Sequence, residues 1–474
     1  SDPAAFYASA ATAREFALTG GGPTLIHVET MRGCGHAHHH DDLYLGAKSG
    51  NPPGYVDGGL LSYWEAKDPL PNHRTLLKQL GVEEEALARM EQEEKGLVDS
   101  ARSSLDEMVW PEGDSVTSGI TSIHDADSHA NQLSRLTGEV NGDEQNAIVP
   151  SGKVTIEFSS ENTASTYSRA IQQGMVAIAE RWGSRAVFMG EDMEIAGAFG
   201  MNLPLKAKGH GDLLLDMPLS ESIIVNAATG AALGGLRPMA EIQFGGFAAL
   251  AMNPLINNAA QLRWRWGAEV PLVVRIPLGA KTRSGPFHAN MIESWFANDP
   301  GLVILFPSTP QDAYDLLVEA AAIPDPVIFL EHIGMYGLRG GLTGWGDNIN
   351  QILDKDSVQE HLDFQSDCYK IGKAEVVRGG EDATIITYGA MTHIALKAAE
   401  ILAEQGKQIE IIDLRTILPF DSTTCVNSVK RTGRYMVLQE AQYSGGFGHT
   451  ISSRIQEEVF YSLEAAPGII GALD

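Results

Sequence analysis

The sequence predicts an α/β protein in which doubly wound parallel sheets form two successive blocks. Short apolar runs alternate with helical segments from residue 165 to about 344, and a second alternating block starts at residue 370. This alternation is typical of a parallel sheet covered by helices on both faces, because its strands are buried on both sides. The predicted strands are 186–189, 239–244, 272–276, 303–306 and 327–330, then 384–387, 409–414, 435–438 and 468–470. Helices are predicted in the second block at 394–405, 422–430 and 449–461.

The segment before these blocks has a different pattern. Residues 4–18 predict a helix, and a glycine-rich turn then leads to a short buried strand at 24–29. Residues 75–105 predict an acidic helix whose glutamates form a solvated face. Residues 111–152 are rich in Ser, Asp, Asn, Gly and Thr, which is the composition of a linker.

Composition and charge restrict the class of protein. The chain has 474 residues, 43% of them hydrophobic, and can build about three domains with proper cores. The formal net charge of −27 argues against nucleic acid and anionic membranes as partners. No run of 18 apolar residues and no leader-like segment occurs, and three scattered cysteines suit neither a disulfide framework nor a cysteine metal site. We therefore expect a cytoplasmic protein.

A carboxylate at the start of a small-residue helix is the main candidate for chemistry. Glu221 lies in the segment DMPLSESIIVNAATGAALGGLRPMAE, between two strand-like stretches. Ser220 and Ser222 are available as helix caps, and the alanines and glycines predict a buried helix that another backbone can approach closely. Burial raises the pKa of a carboxyl unless a partner shares its proton, which suits acid–base work. A structural role at the positive end of the helix dipole stays open.

A histidine-rich loop offers a second, weaker candidate. Residues 33–42 read GCGHAHHHDD, and this density of histidine and aspartate suggests a zinc site. The spacing is neither an i, i+4 helical pair nor a loop–helix ligand set, which argues against zinc. We therefore predict no metal ligand in this loop.

Taken in order, the motifs resemble the thiamine-diphosphate-dependent E1 component of 2-oxo acid dehydrogenase complexes, within the transketolase-like superfamily. Residues 165–474 resemble its β subunit through GED (190–192), PLSE (218–221), GLRPMAE (235–241), PGLVILFPSTPQDA (300–313), PVIFLEH (326–332), TYGAM (387–391), IIDLRTILPFD (411–421) and GGFGH (445–449). Residues 1–110 resemble the C-terminal part of its α subunit through GPTLIHVETMRGCGH (22–36) and YWEAKDPL (63–70).

The resemblance implies a domain plan. The expected sheets are of the thiamine-diphosphate-binding type, with a transketolase C-terminal-like domain after them. The expected segments are an α-like diphosphate-binding part at 1–110, a linker at 111–160, a β-like pyrimidine-binding domain at 161–345, a connector at 346–370 and the C-terminal domain at 371–474.

The resemblance also implies roles for residues that bind the cofactor. Glu221 matches the glutamate that hydrogen-bonds the aminopyrimidine of thiamine diphosphate and promotes its imino tautomer. Phe247 matches the aromatic residue that stacks on the pyrimidine, with ordinary core packing as the alternative. Glu191 matches a pocket carboxylate near the cofactor, although GED also fits a simple turn at a strand end.

Two histidines match residues expected near the substrate. His36 matches the α-subunit histidine near the diphosphate and the substrate carboxylate, where a group titrating near neutral pH lies beside anions. His288 matches the β-subunit histidine thought to serve decarboxylation or acyl transfer. Its neighbours depart from the family, since Phe287 and Ala289 replace the usual Gln and Ser. This departure leaves the substrate open.

The metal-binding half of the family's site has no match in this sequence. The family holds the diphosphate through Mg²⁺ with a Gly-Asp-Gly motif followed by Asn, and oxygen ligands suit that cation. We expect these ligands upstream of Ser1, on an α-like N-terminal half in the same or a separate chain. The expected assemblies are a homodimer of a fused αβ chain or an α2β2-like complex, with a lipoyl-bearing E2 as a possible partner.

The resemblance implies decarboxylation of a 2-oxo acid with acyl transfer to a lipoyl group. Two alternatives stay open. One is a non-oxidative thiamine-dependent carboligase or acetoin-type cleaving enzyme, for which the altered neighbours of His288 leave room. The other is a non-catalytic β-like partner subunit.

Overall fold

The computed structural model describes residues 2–31, 33–34, 41–46, 54, 56–109, 165–195, 197, 199–280, 286–336, 352–365 and 367–472. The chain divides into two compact units, Ser1–Glu112 and Gly113–Asp474. The histidine-rich loop, with His36, His38, His39 and His40, lies outside the described residues, as does the predicted linker.

The described part of the first unit is helical. Its helices are Pro3–Leu18, Asp41–Tyr44, Gly58–Glu65, Pro69–Gln79 and Glu84–Glu107. The predicted helix at 4–18 is confirmed, but the strand predicted at 24–29 is wrong: these residues are extended without pairing, and Leu25 is 95% exposed. An apolar run becomes a strand only where another strand pairs with it, and the described residues of this unit contain none.

The acidic helix predicted at 75–105 is interrupted. Gly81 has a φ of +89°, a left-handed conformation that glycine adopts readily, and the chain turns there between two helices. Across this turn, Arg74 forms ion pairs with Glu84 and Glu91. The exposed glutamates therefore do form a solvated face, on the second of these two helices.

The second unit contains two sheets, and the predicted α/β fold class is confirmed. Its strands are β1 Ala186–Gly190, β2 Leu214–Asp216, β3 Arg237–Glu241, β4 Val273–Leu278, β5 Val303–Leu305, β6 Val327–His332, β7 Glu375–Arg378, β8 Ala383–Thr387, β9 Ile409–Asp413, β10 Thr416–Leu418, β11 Tyr435–Gln442 and β12 Gly468–Ala472. The first sheet has the order β10-β5-β6-β4-β3-β1-β2, and the second β12-β11-β8-β9-β7.

Both sheets are parallel except at one edge. In the first sheet β10 pairs antiparallel with β5, and in the second β7 pairs antiparallel with β9. Of the strands, β7 and β10 were not predicted, and the strand-like stretch before Glu221, which forms β2, was predicted without bounds. Two of these are only three residues long and the third is an edge strand with exposed residues, so none carries a long apolar run.

Helices cover the sheets on both faces, as the parallel strands require. They are Tyr167–Trp182, Leu203–Ala207, Glu221–Leu233, Leu262–Trp266, Glu293–Ala297, Pro310–Ala322, Asp356–Phe364, Met391–Glu404, Ser422–Thr432 and Gly448–Val459. The helices Tyr167–Trp182 and Pro310–Ala322 pack closely, because Gly174 lets Leu317 come within 3.2 Å of where a Cβ would stand. One core layer extends from β3 and β4 to Ile412, Val437 and Ile451, so the two sheets share apolar packing.

Polar contacts also join the two sheets. Ser308, beyond β5, donates a hydrogen bond to Asp413 at the end of β9. Tyr388, beyond β8, donates one to Glu293 over 2.9 Å. Burial raises the pKa of Glu293 to about 7 and that of Asp413 to about 7. Two carboxyl groups at this boundary therefore hold a proton more tightly than exposed ones.

We expect the Glu293 carboxyl to make stability depend on pH. Its folded pKa of about 7 lies above the reference value of 4.5, so its stabilisation is complete below pH 4.5 and is lost as pH rises through 7. Ionisation of Glu293 should lower the free energy of unfolding of the wild type by on the order of 3 kcal/mol between about pH 5 and about pH 8. Glu293→Gln stays neutral at every pH, so this part of the decrease should be absent from the variant. Urea denaturation at both pH values measures this difference. The exposed Glu404→Gln control should keep the wild-type pH dependence, and an unchanged dependence in Glu293→Gln would contradict the assignment.

No helix in the described ranges carries an apolar stretch long enough to cross a membrane.

Candidate active site

Glu221 begins the helix Glu221–Leu233, here called the Glu221 helix, and it is 7% exposed. The predicted side-chain caps do not form at Ser220, whose side chain makes no cap hydrogen bond; its carbonyl accepts from Ile223 and Ile224 instead. None of the described residues donates a hydrogen bond to the Glu221 carboxylate. An acceptor is thus held almost buried at the positive end of a helix dipole.

The predicted burial of the Glu221 helix holds for one face. Ile224, Val225 and Ala228 lie in the core, whereas Ile223 and Leu233 on the opposite face are half exposed. The small residues do leave an open surface, since no described atom lies within 4 Å of a Cβ placed on Gly230. Within this chain, the inner face anchors the carboxylate and the outer face remains accessible.

Glu191 follows β1 directly and lies beside Glu221. It is 7% exposed, and its pKa is raised by burial first and then by the charges of Glu221, Asp192 and Glu241. Asp192 has a φ of +56°, so the GED motif does form a tight turn at the strand end. Glu191 and Glu221 are thus neighbouring, nearly buried carboxyl groups, and Glu191 holds a proton more readily than an exposed glutamate does.

An aromatic cluster forms beyond the end of β3. The ring of His288 lies 4.4 Å from that of Phe244 and 5.7 Å from that of Phe247, edge to face in both cases. Glycines make this contact possible: a Cβ on Gly246 would stand 2.9 Å from Asn290 Oδ1 and 3.1 Å from the carbonyl of Phe287. The backbone before Phe247 therefore packs directly on the segment that carries His288.

The cluster extends to a second strand end. Phe199 lies 5.5 Å from Phe244 and 5.6 Å from Tyr336, again edge to face. The Glu221 helix packs against the 3₁₀ segment Gly245–Ala251, which contains Phe247. The carboxylate helix and the aromatic cluster are therefore adjacent, at the carboxyl ends of the parallel strands where ligands of open α/β sheets bind.

A buried ion network joins the strands next to the aromatic cluster. The Arg275 guanidinium binds both carboxylate oxygens of Glu331, at 2.6 and 2.9 Å, and Glu241 at 2.6 Å. Tyr336 donates a hydrogen bond to Glu331 over 2.8 Å. Burial raises the pKa of Glu241, and Arg275 opposes that rise. Arg275 lies within β4, and its partners lie at or near the ends of the neighbouring strands β3 and β6 or just beyond, so the network ties these three strands together.

Four of the five predicted site residues can be placed. The structure brings Phe247 together with His288, and Glu191 with Glu221, while His36 lies outside the described residues. The sequence analysis assigned no role to Phe244, Phe199 or the Arg275 network. Phe244 could have been proposed as a site residue, because it ends a predicted apolar strand. Arg275 could not, because a single charge inside an apolar run does not indicate its partners.

Comparison with known families agrees with this geometry. Residues 163–337 match the model for the transketolase pyrimidine-binding domain, and residues 372–474 match that for the transketolase C-terminal domain. A solved structure titled a split gene transketolase, inactive β4 tetramer, aligns over 65% of this chain and 88% of that chain, with a TM-score of 0.49 and 19% identity. That likeness is too weak to bear on function.

Relatives of defined activity align over the same region. The β subunit of an acetoin:2,6-dichlorophenolindophenol oxidoreductase from Cupriavidus necator is 40% identical over 278 residues, 58% of this chain and 76% of that protein. The β subunit of the pyruvate dehydrogenase E1 component from Acholeplasma laidlawii is 38% identical over 305 residues, 64% of this chain and 87% of that protein. The chain therefore belongs to the transketolase-like family, in the branch of E1-type β subunits.

Proposed function

We propose that this chain supplies the pyrimidine-binding side of a thiamine-diphosphate-dependent E1 enzyme, which decarboxylates a 2-oxo acid and transfers the acyl group to a lipoyl arm. The observation that carries the proposal is the Glu221 carboxylate, held almost buried at a helix start with no hydrogen-bond donor among the described residues. A carboxylate in that state is ready to engage a ligand's polar group.

The described residues fit an aminopyrimidine ring. Such a ring is flat and apolar on its faces and carries a nitrogen acceptor at its edge, so it needs an aromatic contact and an acidic partner. Phe247 supplies an aromatic face beside His288, and the Glu221 helix packs against the segment that carries Phe247. The raised pKa of Glu191 favours retention of a proton in the pocket that Glu221 shares.

Thiamine diphosphate, when bound, supplies the carbon nucleophile and electron sink that protein side chains lack. The residues of this chain do the remaining work. Glu221 would hold a proton for the ring nitrogen, Phe247 would contact the face of the ring, and Glu191, whose pKa is raised, would limit the negative charge beside Glu221. His288, whose ring lies 5.7 Å from that of Phe247, would offer an imidazole that can move a proton to or from the reacting carbonyl.

The residue before His288 bears on the choice of acyl acceptor. Phe287 precedes His288 and is 74% exposed, so an apolar ring faces solvent next to His288 in the chain. An exposed aromatic next to a proposed catalytic histidine suits an acyl chain or an apolar stretch of a lipoyl arm better than a small polar acceptor.

Further components complete the proposed enzyme. We assign no diphosphate or Mg²⁺ ligand to the described residues, and both are expected on an α-like half, in the same or a separate polypeptide. His36 would contribute from that side. The assembly we propose is α2β2-like, or a homodimer if both halves share one chain, with a lipoyl-bearing E2 as the acyl acceptor.

One specific observation favours a second candidate. The acetoin-oxidising relative shares 40% identity with this chain, slightly more than the pyruvate dehydrogenase relative. An acetoin-type cleaving enzyme would use the same carboxylate and aromatic contact, but it would split a carbon–carbon bond without losing CO2. A non-catalytic β-like subunit is the third possibility. That role does not explain why the Glu221 carboxylate is held almost buried without a hydrogen-bond donor among the described residues.

One experiment separates these candidates. The full protein with its α-type half, thiamine diphosphate and Mg²⁺ is given a panel of 2-oxo acids and, separately, acetoin, with 2,6-dichlorophenolindophenol as electron acceptor. We expect dye reduction with stoichiometric CO2 from at least one 2-oxo acid, and acylation of a lipoyl domain when the dye is omitted. Dye reduction by acetoin alone, without CO2, would establish the second candidate. No turnover with any substrate, despite cofactor binding, would leave the non-catalytic role.

A further inference from the structure

The chain contacts the C-terminal domain at two described points on either side of His288. Before His288, the chain leaves β4 at Leu278 and reaches Ala280; after it, the helix Glu293–Ala297 begins. The backbone N–H of Ala280 binds Glu440, and the carboxyl of Glu293 binds Tyr388. These two contacts lie outside the residues assigned above to cofactor or substrate.

The first tie is made by Glu440, from β11. Its Oε1 accepts a hydrogen bond from the backbone N–H of Ala280 over 2.8 Å, and its Oε2 lies 2.8 Å from Nε2 of His332. His332 is almost completely buried at the end of β6. A single carboxylate thus joins two neighbouring strand ends of the first sheet to a strand of the second.

Close packing makes the first tie rigid. Gly279 has a φ of +92°, and a Cβ there would lie 2.3 Å from the imidazole of His332. A Cβ on Gly334 would lie 2.9 Å from the same ring. The imidazole therefore packs directly on two glycine backbones, and a side chain at either position would displace it from Glu440.

The second tie is the hydrogen bond from Tyr388 to Glu293. Both side chains are fully buried, and the donor–acceptor distance is 2.9 Å. Glu293 follows His288 by five residues and begins the next helix. A buried hydrogen bond of this kind is costly to break, because each partner would be left unsatisfied away from water.

We propose that Glu440 and Tyr388 are positioning residues: they anchor Ala280 and Glu293, which lie on either side of His288 in the chain, to the C-terminal domain and so keep the imidazole against Phe244 and Phe247. The C-terminal domain thereby sets the geometry of a group in the pyrimidine-binding domain. The catalytic meaning of this placement rests on the proposed function, but the placement itself does not.

The test measures the chemical accessibility of His288 instead of turnover. The full protein is treated with diethyl pyrocarbonate, and modification of each histidine is followed by peptide mass spectrometry, with His210 on a different loop as the internal reference. In Glu440→Ala and in Tyr388→Phe, we expect His288 to react about tenfold faster, because a lost buried hydrogen bond makes local opening that much more frequent. Glu440→Gln keeps an oxygen for Ala280 and should stay within about twofold of wild type.

Ser308→Ala is the matched control. It breaks another hydrogen bond between the two sheets, to Asp413, without touching the contacts of Glu440 or Tyr388. We expect it to leave His288 reactivity unchanged. If Ser308→Ala accelerates the reaction as much as Glu440→Ala, the effect is general loosening and the proposal fails. It also fails if His288 reacts at the wild-type rate in both Glu440→Ala and Tyr388→Phe.

Activity measurements on the same variants separate this proposal from the proposed function. If the enzyme decarboxylates 2-oxo acids, Glu440→Ala should lower kcat while KM changes little, because the pyrimidine contacts remain. If the wild-type complex shows no turnover but the accessibility pattern is as expected, the proposed function fails and the positioning role stands.

Discussion

Glu221→Gln should lower turnover by about 10²- to 10⁴-fold, the range expected when a proton-transferring group is lost. The amide keeps the size of the side chain and can still hydrogen-bond a ring nitrogen, but it cannot exchange a proton with it. The loss should appear in kcat, with a smaller change in the apparent affinity for thiamine diphosphate. Steady-state rates with the preferred substrate measure it, at saturating cofactor.

Folding should not limit this variant. Removing the charge of Glu221 relieves its repulsion of Glu191, whose raised pKa should then move toward the ordinary value. Glu221→Gln should therefore be at least as stable as wild type, as is common where an active site stores unfavourable charge. Ser222→Ala, on the same helical turn, is the control and should keep normal turnover. Turnover within about threefold of wild type in Glu221→Gln would contradict its role.

The largest expected loss of stability is in Arg275→Met. The guanidinium is the cation of a fully buried network, and its removal would leave Glu241 and Glu331 facing each other without compensation. Breaking a buried ion pair from one side costs about 3–5 kcal/mol, since the remaining charge stays buried. Denaturant unfolding of the full protein measures the change. The exposed Arg265→Met should change stability by less than about 0.5 kcal/mol.

The pH dependence of stability is a second test of the Arg275 network. Without the guanidinium, the two carboxyl groups can relieve their repulsion by taking up protons, so the deficit of Arg275→Met relative to wild type should shrink as pH falls. A destabilisation below about 1 kcal/mol at neutral pH would show that the network is not the electrostatic support described here.

The sequence predicted the fold well wherever local pattern and tertiary structure agree. The strands β1, β4, β6, β8 and β9 are mostly apolar and almost entirely buried, and such runs are a local signal. The strand predicted at 239–244 is displaced: β3 spans Arg237–Glu241 and includes a charged residue at each end. The antiparallel edge strand β10 could not be predicted, because its pairing with β5 joins residues more than a hundred positions apart. The apolar run at 24–29 carried the same local signal without a partner strand, and the prediction there was wrong.

The site shows the same division. The burial of Glu221 follows from its helix, and the resemblance led to Phe247 and His288, which the structure brings within 5.7 Å. The role of Glu440 could not be predicted from the sequence. It depends on contacts with Ala280 and His332, which lie more than a hundred positions away in the chain, and no distinctive spacing marks this glutamate.

The central claim is that Glu221 exchanges a proton with the pyrimidine of thiamine diphosphate and so activates it. The most direct test is the rate at which the C2 proton of the bound cofactor exchanges with deuterated solvent, measured by acid quench and NMR on the full protein with its α-type half. We predict that Glu221→Gln slows this exchange by about 10²-fold or more relative to wild type. Exchange at the wild-type rate in Glu221→Gln would contradict the account.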